Sequence, residues 1–377
     1  MSYTAENSSD VIFIKIQIFK FHSIGVLKMS VVSVLVSVYN AERFIDKCLE
    51  SLVNQTKKEL DILLIDDGSK DKSLQKCHEW AQKDDRIRVF HKENGGLSSA
   101  RNFGMQYVQG DYVSFIDPDD WIELDMLETV TTQMEQDDSQ ICISGQIKEY
   151  KNKSEKVTPP LPAGCYENGQ KDVEILFSLL SNKRMPNGYS FVRSVARNVY
   201  KTSFITNNNL SFASEREFFA EDFHFNTTAY KIADKISVCE NHFYHYTMSE
   251  TSLTHIYREN RWRMWQNMIN YVSEKFTEYN LMEEAKDQFD CFIVNEAFSC
   301  IQNECYAADD SVSKRKRKQN IKEILKDKRV VDGLKNKNIF SFFSKNHSIT
   351  CKVMKTGSVF FVWHLFRYIN SKSGKIF

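Results

Sequence analysis

Three carboxylates stand within four residues in the segment Asp117-Pro118-Asp119-Asp120. Carboxylates this close repel one another unless a positive charge lies among them. Their hard oxygens suit Mg²⁺ or Mn²⁺ that also contacts a phosphorylated substrate. Pro118 fixes the turn so that Asp117 and Asp119 can face the same side. The segment therefore predicts a divalent-metal site, and the alternative interpretation is an acidic turn that caps the helix after it.

A second pair of carboxylates, Asp66 and Asp67, directly precedes Gly68 and Ser69. Such a pair can bind the edge of a base or a ribose through charge-assisted hydrogen bonds. The alternative is a β-turn in which Ser69 caps the following helix. The residue types alone leave both interpretations open.

A third polar segment, residues 94–101, contains two adjacent glycines that start at Gly95. Glycines let a ligand approach the backbone, and Arg101 stands where it can meet a diphosphate or bridge to Asp117 or Asp119. The segment is not a P-loop, because the Gly-Lys-Ser/Thr sequence is missing. The chain also lacks the glycine fingerprint of dinucleotide-binding proteins after its first strand.

The elements that must position these segments alternate between strand and helix from residue 31 to residue 122. This alternation predicts a doubly wound, mostly parallel α/β sheet, in which ligands bind beyond the carboxyl ends of the strands. The turns at those ends are Tyr39–Glu42, Asp66–Ser69, Asn94–Gly96 and Asp117–Asp120. The predicted strands are Val31–Val38, Leu60–Ile65, Ile87–His91 and Tyr112–Ile116, and the predicted helices are Glu42–Gln55, Asp71–Lys83 and Leu97–Val108.

The remainder of the chain is less regular. The prolines and glycines of Lys151–Gly169 predict a loop between two units. Tyr257–Tyr306 is predicted to be helical, with a turn near Asn280. Residues 1–28 fit neither a signal peptide nor a membrane span, so we interpret them as an upstream extension and expect the native chain to start at Met29.

The overall composition limits the class of protein. The 377 residues carry 50 Lys and Arg against 50 Asp and Glu, whereas a protein that only coats nucleic acid would be far more basic. Hydrophobic residues make up 42% and charged residues 27%, which excludes disorder for most of the chain. The nine cysteines include no Cys-x-x-Cys pair, which favours a reducing compartment over a disulfide framework or a zinc site.

The balanced charge hides a strongly basic end. From Lys314 to Phe377 there are 17 Lys and Arg against three acidic residues. Aromatic residues lie between the basic ones, which predicts peripheral binding to anionic lipid. The longest apolar run, Val359–Trp363, is too short to span a bilayer. The alternatives are a basic helical subdomain whose aromatic residues form a core and, for the run Lys314–Lys318, a nucleic-acid patch or a solvated helix face.

Taken together, these motifs resemble those of the family 2 glycosyltransferases of the GT-A fold. Four motifs occur in the family's order over about 90 residues, although Ser37 stands where the family usually has a proline. The resemblance implies a Rossmann-like nucleotide-sugar-binding half at 29–122, an acceptor half at 123–255, and a helical, basic and aromatic C-terminal region at 256–377. The matching segments are Val34–Glu42, Cys48–Thr56, Ile65–Ser73, Asn94–Asn102 and Phe115–Trp121.

The family's reaction implies an inverting transfer of a sugar from a UDP-sugar to a hydroxyl group of a glycan acceptor. The reaction needs a general base for the acceptor hydroxyl and positive charge at the departing diphosphate. The family's base lies in a Glu-Asp pair before a helix, which matches Glu221 and Asp222, with Asp222 as the base. By the same resemblance Asp119, with Asp120, holds Mn²⁺ or Mg²⁺ on the diphosphate. The residues implied in nucleotide binding are Tyr39 on the uracil, Asp67 on the base, Glu42 and Asp117 near the nucleoside, and Asp66, Gly95 and Arg101 around them.

Two of these assignments have competing explanations. An aspartate such as Asp222 is also favoured at the first turn of a helix by the helix dipole, and both roles can hold together. Relatives often carry Tyr-Arg where this chain has Tyr246 and Thr247. If that arginine helps to hold the diphosphate in relatives, His245 or His255 is a candidate to take its place.

Two other functions remain as alternatives. A sugar-phosphate nucleotidylyltransferase would need a glycine-rich, arginine-bearing loop where Tyr39–Glu42 stands. A non-catalytic relative that only binds a membrane would be expected to lack Asp119 or Asp222, and both are present. The leading expectation is a cytoplasmic enzyme at the inner face of the plasma membrane. There it would act on a lipid-linked acceptor in surface-polysaccharide biosynthesis, without a nucleic-acid partner.

Overall fold

A ten-stranded sheet with helices on both faces forms the frame of the part of the chain that the computed structural model describes. The expectations about residues 1–28 and about His255 lie outside that part. Two buried apolar clusters fill the space between the sheet and its helices, and one of them continues into the C-terminal helices. The described residues are 29–159, 161–185, 192–248, 257–306 and 312–373.

The first half of the sheet confirms the predicted alternation of strands and helices. The strands Val32–Val38 (β1) and Leu60–Asp66 (β2) are buried at every residue, as expected for aliphatic runs between two layers of helices. The helices are shorter than predicted, because polar residues at their ends form turns. The other elements are Ile45–Val53 (α1), Ser73–Ala81 (α2), Ile87–His91 (β3), Leu97–Met105 (α3) and Tyr112–Ile116 (β4).

The second half contains two strands inside the segment that the sequence analysis predicted to be a loop. The predicted loop at 151–169 is wrong, because Lys153–Val157 (β7) and Gly164–Glu167 (β8) pair with neighbouring strands. Nearly every residue of β7 is exposed, so it shows no hydrophobic pattern that would mark a strand. The other elements are Trp121–Ile122 (β5), Met126–Asp137 (α4), Ile141–Tyr150 (β6), Asn168–Lys171 (α5), a π-helical turn at Asp172–Leu176, Phe177–Leu180 (α6), Asn198–Lys201 (β9), Thr202–Asn207 (α7), Glu221–Ile232 (α8) and Lys235–Thr247 (β10).

The strand order is β3-β2-β1-β4-β9-β6-β10-β5, with β7 beside β6 and β8 beside β10. Strands β3, β2, β1 and β4 are parallel, as predicted, and β6 and β10 are parallel to each other. Strand β9 is antiparallel to both of its neighbours, β4 and β6. The sheet therefore continues without a break from residues 29–122 into the later part of the chain.

The region after residue 256 is helical, as predicted. Arg261–Glu278 (α9) and Lys286–Tyr306 (α10) are separated by a turn at Asn280, whose φ of 57° is left-handed. The basic end forms a group of helices that packs against α10. Its elements are Lys314–Lys326 (α11), Lys328–Lys335 (α12), a 3₁₀ turn at Asn338–Phe342, Lys345–Lys355 (α13) and Val359–Ser373 (α14).

The aromatic residues of this basic end are divided between core and surface. Phe342, Trp363 and Phe366 are buried, whereas a second group remains exposed: Phe360, Phe361 and Tyr368. None of the described helices is both long enough and apolar enough to cross a bilayer. All nine cysteines are free thiols and only Cys165 is exposed, so the other eight are small residues of the core.

Candidate functional site

The turns after β1 and β2 are joined to each other by backbone–side-chain hydrogen bonds. The Asn40 N–H donates to Ser69 Oγ at 3.1 Å, and the Lys70 N–H donates to Asn40 Oδ1 at 2.8 Å. Asn40 adopts a φ of 49°, a left-handed conformation that asparagine tolerates well. Ser69 does not cap α2, which begins at Ser73. These bonds leave the side chain of Tyr39 49% exposed at the carboxyl edge of the sheet.

Glu42 also connects these two turns. Its Oε2 accepts a hydrogen bond from the Lys72 N–H at 3.0 Å, and its own N–H donates to Asp71 Oδ2 at 3.1 Å. Glu42 therefore holds the start of α2 against the turn after β1.

The two carboxylates after β2 fix the next turn along the edge. Asp66 is fully buried, with Oδ2 at 2.7 Å from His91 Nδ1. Asp67 accepts hydrogen bonds from Lys92 Nζ at 2.6 Å, from the Gly95 N–H at 3.0 Å and from the Gly96 N–H at 2.7 Å. Asp67 thus orders the turn before α3.

Glycine is required where these two turns meet. Gly68 has a φ of 74°, and a Cβ at this position would lie 2.9 Å from the backbone nitrogen of Asn94. Any larger residue would therefore be strained and would also push the two turns apart.

Arg101 connects the end of β4 to the start of α8. Its guanidinium group is 2% exposed and contacts three carboxylates. Nη1 lies 2.6 Å from Asp222 Oδ1 and 3.3 Å from Glu221 Oε1, and Nη2 lies 3.1 Å from Asp117 Oδ1. Of the two roles expected for Arg101, the geometry therefore favours the carboxylate bridge over direct contact with a diphosphate.

Burial and mutual charge shift the titration of this cluster. Burial alone would lower the pKa of Arg101, but the charges of Asp222, Asp117 and Glu221 outweigh it and raise that pKa. Burial also raises the pKa of Glu221 to about 7, with a further contribution from the charge of Asp222. Glu221 is therefore poised to carry a proton near neutral pH.

Asp222 is the member of the Glu-Asp pair that is held from two sides. Besides Arg101 on Oδ1, its Oδ2 accepts a hydrogen bond from the Val195 N–H at 3.1 Å. Asp222 lies in the first turn of α8, where the helix dipole also favours a negative charge. Its side chain remains 20% exposed, so a ligand can reach it.

Two hydrogen bonds join the Asp120 carboxylate to β10. Tyr244 Oη donates to Asp120 Oδ2 at 2.5 Å, and the Thr247 N–H donates to Asp120 Oδ1 at 2.7 Å. Asp120 is 1% exposed, and burial, with the charges of Asp117 and Asp119, raises its pKa to about 8. With both oxygens engaged by β10, the geometry favours a structural role for Asp120 rather than the expected metal ligation.

Asp119 remains the candidate metal ligand of this turn. It is half-buried, and burial together with the charge of Asp117 raises its pKa to about 6. In the part of the chain that the structure describes, no three His, Cys, Asp or Glu side chains converge as a ready-made metal site. A cation here would therefore need oxygen atoms of a ligand, as is usual for Mg²⁺ held by one or two carboxylates and a substrate phosphate.

Glu215 is a residue of this edge that the sequence analysis missed. Its Oε2 lies 3.3 Å from the Ser98 N–H at the start of α3, and a Cβ on Gly96 would lie 1.7 Å from its Oε1. Gly96, with a φ of 94°, therefore makes the room that Glu215 occupies. No local motif marks Glu215, because a loop brings it to α3 from a distant part of the sequence.

The side chain of His245 is already engaged by neighbouring residues. Its Nδ1 lies 2.6 Å from Glu149 Oε1 and its Nε2 lies 2.9 Å from Glu123 Oε1. The ring stacks on Trp121 with centroids 3.2 Å apart. Both ring nitrogens are thus engaged by glutamates, which disfavours the expected contact between His245 and a diphosphate.

Several known proteins are similar to this chain in sequence. The family described as "Glycosyl transferase family 2" matches residues 33–197. The glycosyltransferase EpsJ of Bacillus subtilis, which is described as uncharacterized, is 30% identical over 299 residues, or 78% of this chain and 83% of EpsJ. The poly(ribitol-phosphate) beta-glucosyltransferase of Bacillus spizizenii is 26% identical over 249 residues, or 64% of this chain and 36% of that protein.

A solved structure shares the fold. The crystal structure of residues 1–349 of S. aureus TarS in complex with UDP superimposes with a TM-score of 0.53 and 18% sequence identity, covering 92% of each chain. At this identity the likeness concerns the fold alone.

Proposed function

Because this chain belongs to the family 2 glycosyltransferases, we propose that it transfers a sugar, with inversion, from a UDP-sugar to a hydroxyl group of a glycan acceptor. Membership of the family sets aside the nucleotidylyltransferase, and the presence of Asp119 and Asp222 argues against a non-catalytic relative. The observation that carries the proposal is the fixed carboxylate of Asp222, held by Arg101 at 2.6 Å and by the Val195 N–H at 3.1 Å.

Asp222 is the general base of the proposed reaction, and Glu221 supports it. The acceptor oxygen forms a bond to the anomeric carbon, its proton passes to Asp222, and the bond from that carbon to the UDP oxygen breaks. The Arg101 guanidinium lies 2.6 Å from Asp222 Oδ1 and fixes that carboxylate oxygen. The Val195 N–H fixes the other carboxylate oxygen, so the base keeps one orientation.

Nucleotide binding is assigned to the turns after β1, β2 and β3. The exposed ring of Tyr39 offers a face for the uracil. Asp67, which accepts a hydrogen bond from the Gly95 N–H, lies in the neighbouring turn at the same edge of the sheet. Glu42 and Asp66 act on the nucleotide indirectly, because their carboxylates order these turns. The solved TarS complex with UDP supports the choice of nucleotide.

Asp119, with Asp117 beside it, is assigned to a divalent cation. The donor brings a diphosphate to a site in which Arg101 is already paired with three carboxylates, so additional positive charge is needed. When bound, Mn²⁺ or Mg²⁺ would neutralise the charge that develops on the leaving UDP.

We assign the acceptor to the glycans that are built in cell-surface polysaccharide biosynthesis. The name of the related poly(ribitol-phosphate) beta-glucosyltransferase gives a polymer, poly(ribitol-phosphate), as its acceptor, which supports a polymeric acceptor for this chain. A lipid-linked acceptor at the inner face of the plasma membrane would bring the substrate to a protein whose C-terminal end is basic and aromatic.

Ligand-dependent melting tests the nucleotide and the metal. UDP at about 100 times its dissociation constant should stabilise the protein by about 2.7 kcal/mol in the presence of Mn²⁺, and GDP and CMP should not. Asp119→Asn should lose the Mn²⁺-dependent part of the shift, whereas Asp85→Asn, at an exposed site on another part of the surface, should keep it. A wild-type protein that no nucleotide stabilises would overturn the proposal.

Transfer assays test the base. With membrane-extracted acceptor and radiolabelled UDP-sugars, Asp222→Asn should lower the rate of transfer by about 10²- to 10⁴-fold. The same variant should keep the UDP and Mn²⁺ shift, which shows that the protein is folded and binds its donor. An Asp222→Asn protein that is as active as the wild type would remove Asp222 from the mechanism.

A further inference from the structure

The outermost helix, α14, is apolar on two opposite faces. Val362, Trp363 and Phe366 are buried against the other helices. On the opposite side Phe360 and Phe361 are 63% and 60% exposed, and Tyr368 is 56% exposed. Residues spaced by about one and two helical turns share a face, so the exposed aromatic residues line up along the helix. His364 and Arg367 are exposed on the same face.

A row of exposed basic side chains lies on α11, the helix that packs beside α14. Lys318 Nζ on α11 lies 5.3 Å from the centre of the Trp363 ring, and the Arg367 guanidinium lies 5.7 Å from the same ring. Lys318 thus connects the exposed basic row of α11 to α14. The basic row and the rings together form what we name the C-terminal face, which consists of Arg315, Lys318, Lys322 and Lys326 on α11 and of Phe360, Phe361, Arg367 and Tyr368 on α14.

The segment that carries this face is strongly basic, although Glu323 is exposed on α11 and Glu259 lies 3.7 Å from Lys316. The segment from Lys314 to Phe377 has 17 basic residues and three acidic ones. Two of those acids are already paired, Asp327 with Arg329 at 2.8 Å and Asp332 with Lys335 at 2.9 Å. A partner of this face must therefore be anionic and must also accept aromatic side chains.

We propose that the C-terminal face docks the protein on an anionic phospholipid surface. Phe360 and Phe361 enter the boundary between headgroups and acyl chains, where aromatic residues of interfacial helices lie. The basic row of α11 contacts lipid phosphates. An outward helix face with two adjacent rings suits a bilayer surface, whereas single-stranded nucleic acid is usually bound along a groove with separate stacking platforms.

Vesicle co-sedimentation with the full chain tests this inference. The wild type should bind vesicles of phosphatidylcholine with about 30% phosphatidylglycerol and should not bind pure phosphatidylcholine. Added salt should weaken the binding, because the attraction between the basic row and the lipid is screened. Replacing Lys318 and Lys322 by Gln should weaken it about fivefold for each charge. Phe360→Ser with Phe361→Ser should weaken it about tenfold or more.

Matched controls isolate the face. Leu124→Ser removes an apolar side chain that is 51% exposed elsewhere, and Lys83→Gln with Lys151→Gln removes two exposed charges elsewhere. Both controls should bind vesicles as the wild type does. Asp222→Asn should also bind them normally, so a failure of docking can be distinguished from a failure of the proposed reaction.

Four results would overturn the inference. The first is equal binding of neutral and anionic vesicles, and the second is no binding of either. The third is unchanged binding of anionic vesicles by both the phenylalanine and the lysine double variants. The fourth is evidence that another partner binds this face. Such evidence would be a dimer in sedimentation velocity that Phe360→Ser with Phe361→Ser converts to monomer, or an oligonucleotide that competes with the vesicles for the protein. If the phenylalanine variant does not fold, the lysine variant still decides between these outcomes.

Discussion

Arg101 is the residue on which the geometry of the candidate base depends. Its buried guanidinium reaches the end of β4 through Asp117 and the start of α8 through Glu221 and Asp222. A guanidinium group presents a rigid fork of donors, whereas a lysine ammonium is a single point of charge on a flexible stem. Lysine can keep the charge of Arg101 but cannot contact all three carboxylates in the same way.

We therefore expect Arg101→Lys to lower kcat by about 10²-fold, because displacing a reacting group by about 1 Å has an effect of that size. The KM for the UDP-sugar should change little, since Arg101 acts on the base and not on the donor. Steady-state kinetics separate the two parameters. A raised KM with an unchanged kcat would instead assign Arg101 to the diphosphate, the other role that its position in the sequence allowed.

At the scale of residues, the sequence named candidate members of the site but not their contacts. The family resemblance named Glu221, Asp222 and Asp120, and the end of a strand marked Asp117. The sequence could not show that β10 holds Asp120, because its partner Tyr244 is 124 residues away and leaves no local signal. Glu215 was missed for the same reason, since only the folded loop brings it to α3.

Among the elements, α8, which carries the candidate base, is joined to the C-terminal helices through Arg193. The Arg193 guanidinium lies 2.7 Å from Glu296 Oε1 on α10 and packs over the rings of Phe223, Trp265 and Phe292. Asn226 on α8 donates to the Arg193 carbonyl at 2.8 Å. The C-terminal helices are thus part of the support for α8.

Arg193→Leu should lower the free energy of unfolding by about 3–5 kcal/mol, because it leaves the buried carboxylate of Glu296 without its cation. Glu296 is 4% exposed, so water cannot replace the arginine. Urea unfolding measures the change. Adding Glu296→Leu to the same protein should restore most of the loss, and equal stability of the single and double variants would contradict the argument.

The predictable elements were those with a hydrophobic pattern of their own. Strands β1 and β2 have continuous aliphatic runs because helices cover them on both sides. Strand β7 has none, because its charged side chains face solvent and only its backbone pairs with β6. The order of the strands in the sheet could not be predicted either, because β9 lies between β4 and β6, which are distant from it along the chain.

Across the whole molecule, the half-buried His224 and the buried His347 contribute to the dependence of stability on pH. Burial lowers the pKa of both His224 and His347 to about 4, whereas an unfolded histidine titrates near about 6.5. Between these values the unfolded chain binds protons that the folded chain does not. These two histidines therefore lower the free energy of unfolding as the pH falls from about 6.5 towards about 4, whereas the raised pKa values of Asp119, Asp120 and Glu221 act in the opposite direction.

His347→Phe should reduce the loss of unfolding free energy at acid pH by about 3 kcal/mol. The pKa of His347 differs by about 2.5 units between the folded and the unfolded chain, and such a difference corresponds to roughly that energy. The ring should fit, since His347 stacks between Phe298 and Phe343 at 4.4 Å from each. Urea unfolding between about pH 7 and about pH 4 measures the slope. The exposed His78→Gln should leave that slope unchanged, and an unchanged slope in His347→Phe would refute the argument.

The position of β9 in the sheet has a consequence for how the protein emerges from the ribosome. Strand β4 is complete at Ile116, but β9, its neighbour on one side, begins only at Asn198. At the usual speed of translation, about 80 residues correspond to roughly 4–16 s, during which the nascent sheet presents an unpaired edge. An exposed strand edge can pair with another chain. The cell must therefore shield the newly made first half of this protein, by a chaperone or by the ribosome itself, until the antiparallel strand arrives to close it.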